Sequence, residues 1–438
     1  MKKTSLKAKV AFIGTCLTSA LLLQACSGDE QVSTPVEPLS VSAKSDIRSV
    51  EEACDIAIAF LSADSDAPQS RSVSDIDNVK VGYGTNSRNS TDTLFYSVNL
   101  SDNEGFVLVS APKAAVPVLA YVEAGSYDPA ETTDNPGFNL FIEKSKEYTT
   151  NASITIDTID IKPYKKPYTI VREAGPRLKV EWGQSYPEGT LCSNGLCGCV
   201  QTAMAQAFSY FEEPTSIELT YPGHDIDRVQ LNWSEIKKHR VSCKNNIDSV
   251  RTHLEDCEAA EKSHKALAYL CRELGHRNHA DYKTLEKDGI LGTSSYSIDA
   301  NQLYKRMLPS RTVTAYTSFN STYFNTLISN MRSYGAVAHF RGSDPQRKGH
   351  AWICDGGKHY EYHTQAILLN GKEDVRNTYY FHFNWGWNGD SNGYFLGDVY
   401  DTTKGLQENE IPAPVNPCLP FPLSRNDYST EVYYYMIY

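Results

Sequence analysis

Gly198-Cys199-Val200-Gln201-Thr202-Ala203-Met204-Ala205-Gln206-Ala207-Phe208 puts a cysteine directly after a glycine, at the mouth of a helical segment. Ala203, Met204, Ala205, Gln206 and Ala207 favour helix, and no glycine or proline interrupts 200–211. A thiol at a helix N-terminus lies near unpaired amides and the positive end of the helix dipole. That setting favours the thiolate, the nucleophilic form of cysteine. A thiolate nucleophile needs a base, and the base needs a group to orient it. Gly349-His350-Ala351-Trp352 offers a histidine, and Asn384-Trp385-Gly386-Trp387 offers an asparagine.

His350 lies 151 residues after Cys199, and Asn384 a further 34 on. A cysteine followed far downstream by histidine and then asparagine is the order of papain-like peptidases. The local words are more specific. Gly-Cys-Val-x-Thr-Ala-x-Ala-Gln, Gly-His-Ala-Trp-x-x-Asp-Gly and Asn-Trp-Gly-Trp-x-Gly, with Trp182-Gly183-Gln184 upstream, resemble the streptopain-type cysteine peptidases of bacteria. The resemblance implies a thiol endopeptidase with Cys199 as nucleophile, His350 as base and Asn384 as the partner that fixes the ring. It also carries an oxyanion-hole role to Gln184, although the family's Pro-Tyr-Asn continuation reads Tyr186-Pro187-Glu188 here. Trp385 and Trp387 are supporting aromatics that shield the bond between His350 and Asn384, a packing role that core aromatics also fill, and Trp182 supports the site from the upstream word. Gly-x-Ser-Asp-Gly-Tyr-Phe of the family appears as Gly389-Asp390-Ser391-Asn392-Gly393-Tyr394-Phe395, so no role passes to Asp390.

The chain has 438 residues, room for two or three domains with cores of their own. Its 42 Lys and Arg against 53 Asp and Glu give a net charge of −11, and no basic run interrupts that balance. This excludes a nucleic-acid binder. A hydrophobic content of 40% with 28 tyrosines suits a folded, β-rich protein rather than a disordered one.

Residues 1–25 form a targeting segment: Lys2, Lys3, Lys7 and Lys9 precede an apolar run, 10–23, too short for a comfortable membrane span. Leu23-Gln24-Ala25-Cys26 is similar to a bacterial lipoprotein signal, which implies lipidation at Cys26. A plain signal peptide cut near Ala25 is the alternative. Either way the expectation is export to the cell envelope, with the membrane met only through a lipid anchor. Residues 26–45 read as a flexible tether. In 46–165, a helix over 50–61 with Ala53, Ile56, Ala57, Phe60 and Leu61 on one face precedes strands at 94–100, 105–110 and 116–122. Gly-Phe-Val-Leu-Val-Ser-Ala-x-Lys with Pro-Val-Leu-Ala-Tyr is similar to the pro-domain of streptopain-type zymogens, which blocks the cleft. A helix after Asn135 leads to a polar linker, where Lys162, Lys165, Lys166 and Arg172 are candidate processing points.

Residues 166–438 would then form the catalytic domain. A helical pattern covers 247–274, a small polar segment 292–296 suits a loop beside the cleft, a helix follows at 323–334, and strands at 336–340 and 431–437. Cys192, Cys197 and Cys199 are close in sequence. Cys-x4-Cys-x-Cys is not a usual zinc spacing and no histidine completes it. A Cys192–Cys197 disulfide is admissible in an exported chain. His339 reads as a core residue, while His359, His363 and His382 carry no partner motif.

The fold class expected is α+β: a papain-like peptidase domain, with a helical part and an antiparallel β part, preceded by a small α+β inhibitory pro-domain. The expected partners are protein or peptide substrates and the chain's own pro-domain, with no cofactor and no metal. Two other readings use the same residues. A Cys-His-Asn acyltransferase of transglutaminase type would take an amine acceptor, and a catalytically dead surface binding or inhibitor protein would not turn over at all.

Overall fold

The computed structural model describes residues 47–63, 75–85, 91–152, 158–160, 167–240, 258–285, 291–295, 297–343, 349–368, 372–400 and 432–438. The targeting segment, Cys26, the tether, Lys162, Lys165, Lys166, Cys243, Cys257 and Cys418 lie outside the described residues.

The chain from Ser45 onward forms one compact unit. Helix α1 (Val50–Ser62) opens on a capping box: Ser49 accepts from the Glu52 amide while the Glu52 carboxylate accepts from the Ser49 amide. Its buried face is Ala53, Ala57, Phe60 and Leu61. Strands β1 (Ile76–Thr85), β2 (Thr91–Leu100), β3 (Phe106–Ser110) and β4 (Val118–Val122) follow as an antiparallel meander. The sequence pattern gives β2, β3 and β4 but not β1. Helix α2 (Pro136–Thr150) starts with Pro136 in its first turn, and Asn135 caps it by accepting from the amides of Gly137 and Phe138.

Strands β5 (Thr158–Asp160) and β6 (Tyr168–Ala174) occupy what reads in sequence as linker. β6 is held as a strand of the main sheet, and Arg172 donates to the Ser329 hydroxyl at 2.8 Å. A paired strand resists a protease, so Arg172 is corrected as a processing point in this form of the chain.

Helix α3 (Cys199–Phe211) is buried on every face from Val200 to Ser209. Around it lie β7 (Ser216–Glu218), β8 (Arg228–Gln230), short α4 (Trp233–Ile236), α5 (Glu258–Arg277), the hairpin β9 (Asp281–Leu285) and β10 (Leu291–Ser294), and α6 (Ser297–Met307). Met204, Phe208, Leu267, Leu270, Leu274 and Leu303 belong to this helical core. β11 (Val313–Tyr316), α7 (Ser321–Tyr334), β12 (Val337–Ser343), β13 (Gly349–Leu368), β14 (Glu373–Asn384), β15 (Gly393–Leu396) and β16 (Tyr433–Ile437) build the sheet side.

The strand order is β1-β2-β3-β4-β15-β14-β13-β12-β16-β11, with β5 and β6 also on β13. The N-terminal meander therefore continues the main sheet through β4 and β15, in the register Gly393↔Val122 and Phe395↔Ala120. Side chains seal the same joint. Phe141 meets Phe395 edge-on at 4.8 Å between centroids, and the Tyr380 hydroxyl donates to the Val118 carbonyl at 2.9 Å. Phe138 and Phe141 are fully buried, and burying one such side chain contributes roughly 1.5–3 kcal/mol.

Candidate active site

Cys199 is the first residue of α3, and Gly198 is its N-cap with φ 98°. That left-handed backbone favours glycine. The space requires it as well, because a Cβ at 198 would lie 2.8 Å from Gln201 Oε1 and 3.0 Å from Thr293 Cγ2. The 292–295 segment thus flanks the start of α3 beside Cys199. Asn194 Nδ2 donates to the Gly292 carbonyl at 3.0 Å, and Gln201 Nε2 to the Ser295 hydroxyl at 3.2 Å.

His350 enters from the second position of β13. The register Ile353↔Asn384 lays the end of β14 beside the start of β13. The next residue, Trp385, then meets the histidine: His350 Nε2 lies 2.7 Å from the Trp385 carbonyl. The same strand edge bears on Cys199, because the backbone amide of Ala351, with that of Val200, favours its thiolate form. Among the described residues the thiol and the His350 ring make no hydrogen bond. Trp387 presents its ring edge to His350 at 6.2 Å. Trp385 is fully buried and donates from its indole to the Ser391 carbonyl at 2.9 Å. Trp182 is fully buried beneath the Gly183-Gln184 segment, its indole on the His239 carbonyl at 2.6 Å.

Asn384 is not where the motif suggests. Its Oδ1 accepts from Gln206 Nε2 at 3.0 Å and from the Gly386 amide at 3.2 Å, and its Nδ2 donates to the Val180 carbonyl at 2.8 Å. Both ends of the amide are engaged inside the protein, so here the ring is oriented by a main-chain carbonyl instead. Gln184 lies next to the loop that leads into α3, its carbonyl accepting from the Cys197 amide at 2.8 Å.

The electrostatics also differ from the sequence expectation. Burial pushes the Cys199 thiol up, offset in part by the Ala351 and Val200 amides. Burial pushes His350 down to about 4, against the raising effect of the Trp385 carbonyl. Both groups are held neutral. Cys192, Cys197 and Cys199 are free thiols, so the admissible Cys192–Cys197 disulfide is absent. Cys197 sulfur sits 3.2 Å from the Thr202 hydroxyl.

A segment of the N-terminal subdomain closes the site. A Cβ on Gly137, in the first turn of α2, would lie 2.4 Å from Trp385 Cε3 and 2.7 Å from His350 Cδ2. The helix backbone is packed directly on the histidine and its tryptophan. Asn135, the α2 cap, also donates to the Asp390 carbonyl at 2.8 Å.

Residues 179–395 match the model of the peptidase C10 family. The chain is a cysteine peptidase of the C10 family. Residues 37–149 of this C10 peptidase match the Spi protease inhibitor family, so the subdomain seated on His350 is an inhibitor-type pro-domain and the chain is a zymogen. Streptopain of Streptococcus pyogenes is 23% identical over 395 residues, covering 80% of this chain and 85% of the relative. The thiol protease/hemagglutinin PrtT of Porphyromonas gingivalis is 23% identical over 327 residues, 69% of this chain, and the chain spans about a third (34%) of that relative's length. A fragment of Prevotella intermedia prointerpain A shares the papain-like fold with a TM-score of 0.50 at 19% identity, covering 82% of this chain and 98% of that one.

Sequence reading of the C10 peptidase singled out Cys199 and His350 but none of the groups that the structure places around them and along the same strand. The Trp385 carbonyl and the Ala351 amide are main chain, which no motif names. Gln206 had a signal, a long polar side chain in the middle of an otherwise buried helix. Asp355 had one too, a carboxylate inside strand β13. It accepts from the Arg177 and Leu178 amides at 2.8 Å each and from His382 Nδ1 at 2.5 Å. His382, left without a partner by the motifs, is raised to about 10 because the opposing Asp355 and Glu123 charges outweigh its burial. His339 is a core residue as read, fully buried with its Nδ1 2.9 Å from the Tyr304 hydroxyl.

Proposed function

We propose that this zymogen is an exported, lipid-anchored endopeptidase that cleaves peptide bonds through Cys199 and His350. In the uncovered enzyme the Cys199 sulfur attacks the substrate carbonyl carbon, and the carbonyl π electrons move to oxygen. The developing oxyanion takes hydrogen bonds from the Cys199 amide at the α3 N-terminus and the Gln184 side chain. His350, protonated by the thiol, gives its proton to the leaving amine as the acyl-enzyme forms. The neutral ring then takes a proton from water, which attacks the thioester, and returning that proton to sulfur releases the acid. Throughout, Nε2–H of the ring donates to the Trp385 carbonyl, which leaves Nδ1 to serve the sulfur. Asn384 is assigned to the support of that carbonyl, in place of direct contact with the ring.

The observation that carries this reading is the convergence at one strand edge. The Ala351 amide favours the Cys199 thiolate, and the adjacent His350 is already tethered through one ring nitrogen. Inhibition follows from the same place, since Gly137 packs on the ring that serves the thiol. The test is covalent trapping with a peptidyl epoxide, an electrophile that reports thiol nucleophilicity. After pro-domain removal it is expected to alkylate Cys199 once per chain and to abolish hydrolysis of casein. Alkylation elsewhere, or full casein hydrolysis after Cys199 is alkylated, would refute the assignment.

A further inference from the structure

We infer that Gln206 is a positioning residue for this reaction: from the nucleophile helix it fixes the peptide unit that orients the His350 ring. The inference rests on the catalytic reading above and deepens it. Gln206 stands nearly two turns after Cys199 on α3 and is fully buried. Its Nε2 carries two hydrogens, and the structure gives each a carbonyl: Asn384 Oδ1 at 3.0 Å and the Trp182 main-chain oxygen at 3.3 Å. The reverse orientation of the amide would set its oxygen against two oxygens, so the network fixes which atom points where.

The next step is one peptide bond long. Asn384 Oδ1 also accepts from the Gly386 amide, and that N–H belongs to the same planar unit as the Trp385 carbonyl. One edge of the unit is held by Asn384, which is held by Gln206. The other edge holds His350 Nε2 at 2.7 Å. Gln206 thereby ties the base's tether to the helix that carries the nucleophile. Through Trp182 it also ties in the Gly183-Gln184 segment proposed to complete the oxyanion hole. Removing its N–H groups leaves Asn384 and the Trp182 carbonyl short of a buried donor each, and the Trp385–Gly386 peptide loses its fixed angle.

The chain is activated to the processed enzyme, active sites are counted by titration with a peptidyl epoxide, and kcat and KM are measured against pH. Gln206→Leu removes the donors. Gln206→Glu keeps the volume and replaces the amide donor with an acceptor. Per titrated site, both are expected to lower kcat about 10–100-fold, the scale for misplacing a catalytic group by an ångström, with KM within about threefold. The alkaline limb of the kcat/KM profile is expected to move to lower pH, because the carbonyl that supports the charged ring is released. A wild-type kcat and pH profile in the titratable Glu variant would overturn the inference, as would a loss confined to the number of titratable sites. Should Gln206→Leu not fold, the Glu variant decides alone. Should neither fold, amide nitrogen resonances of Gly386 in the full-length Cys199→Ala chain carrying Gln206→Met decide: an unshifted Gly386 signal refutes the tether and a shifted one supports it. If the wild type itself takes up no epoxide at Cys199, it is the catalytic reading that fails, and the Gly386 signal still tests the tether.

Discussion

Gly137→Ala separates the pro-domain's fold from its grip on the active site. The added methyl would stand 2.4 Å and 3.0 Å from two carbons of the Trp385 ring and 2.7 Å from His350 Cδ2. Carbon pairs rest at about 3.5–4.0 Å, so something must move by roughly 1 Å. Neither ring is free to do so: Trp385 is fully buried with its indole on Ser391, and His350 is tied to the Trp385 carbonyl. The helix must lift instead. Overpacking of this kind costs about 1–3 kcal/mol, whereas alanine for glycine inside a helix gains at most about 1 kcal/mol, and less in the first turn. The gain belongs to the pro-domain and the cost to the interface. A loss of 1–3 kcal/mol in seating raises the uncovered fraction about 5–150-fold. The assay is the rate at which iodoacetamide alkylates Cys199 in the full-length reduced chain, read as the mass of the Cys199 peptide. The variant is expected to label faster by that factor, with no fall in the unfolding temperature of the pro-domain. Equal labelling rates in two equally folded chains would refute the claim that α2 closes the site through this contact.

Acid is expected to loosen the same contact. His350 is depressed to about 4 when covered, and its ordinary value is near 6.5. The uncovered form therefore takes up a proton that the covered form refuses. Covering is at full strength above about pH 6.5 and weakens as pH falls toward 4, by ~3 kcal/mol in all. At pH 4.5 this is roughly a 100-fold shift toward release. Hydrogen exchange of α2 in the Cys199→Ala chain, corrected for intrinsic pH dependence, measures it; unchanged protection between pH 7 and 4.5 contradicts it. Asp355→Asn breaks a buried pair and weakens the hold on the Arg177 and Leu178 amides, so it is expected to cost about 3–5 kcal/mol and lower the unfolding temperature by several degrees. His382 has its pKa raised to about 10, so its contribution is complete below pH 6.5 and is lost as pH climbs through 10. Asp355→Asn is accordingly expected to flatten the loss of thermal stability between pH 7 and 10, and an unaltered slope would count against the pair.

Elements announced by local pattern were legible in the sequence. Helix α3 is uninterrupted helix formers, and His350 sits in a word of its own at the head of a strand. Elements decided by a distant partner were not. β6 leaves Thr169, Val171 and Glu173 exposed, mixes polar and apolar residues without a clean period, and reads as linker until β13 is beside it. The continuity of the pro-domain sheet with the catalytic sheet depends on β4 finding β15, which no local window contains. Asn384 shows the same limit at the level of one side chain. Its type is visible in the motif, but which way its amide turns is set by Gln206 and Val180, 178 and 204 residues away. The Cys199 thiol failed for a different reason, one of magnitude. A helix N-terminus is worth about 0.3–1 kcal/mol, under one pKa unit, while burial of a charged group shifts a pKa by up to 3–5 units. At Cys199 burial wins, and no local window of sequence shows what surrounds the thiol.

The central claim is that Cys199 is the nucleophile of a self-covering peptidase. It is tested most directly by following the mass of the wild-type chain and of Cys199→Ala side by side under reducing conditions, with a trace of outside protease added if neither changes. Wild type is expected to trim to a fragment beginning between about residues 151 and 167, ahead of β6, and then to release peptides from casein. The Cys199→Ala chain is expected to release none. Peptide release by Cys199→Ala, or none from trimmed wild type, would contradict the account.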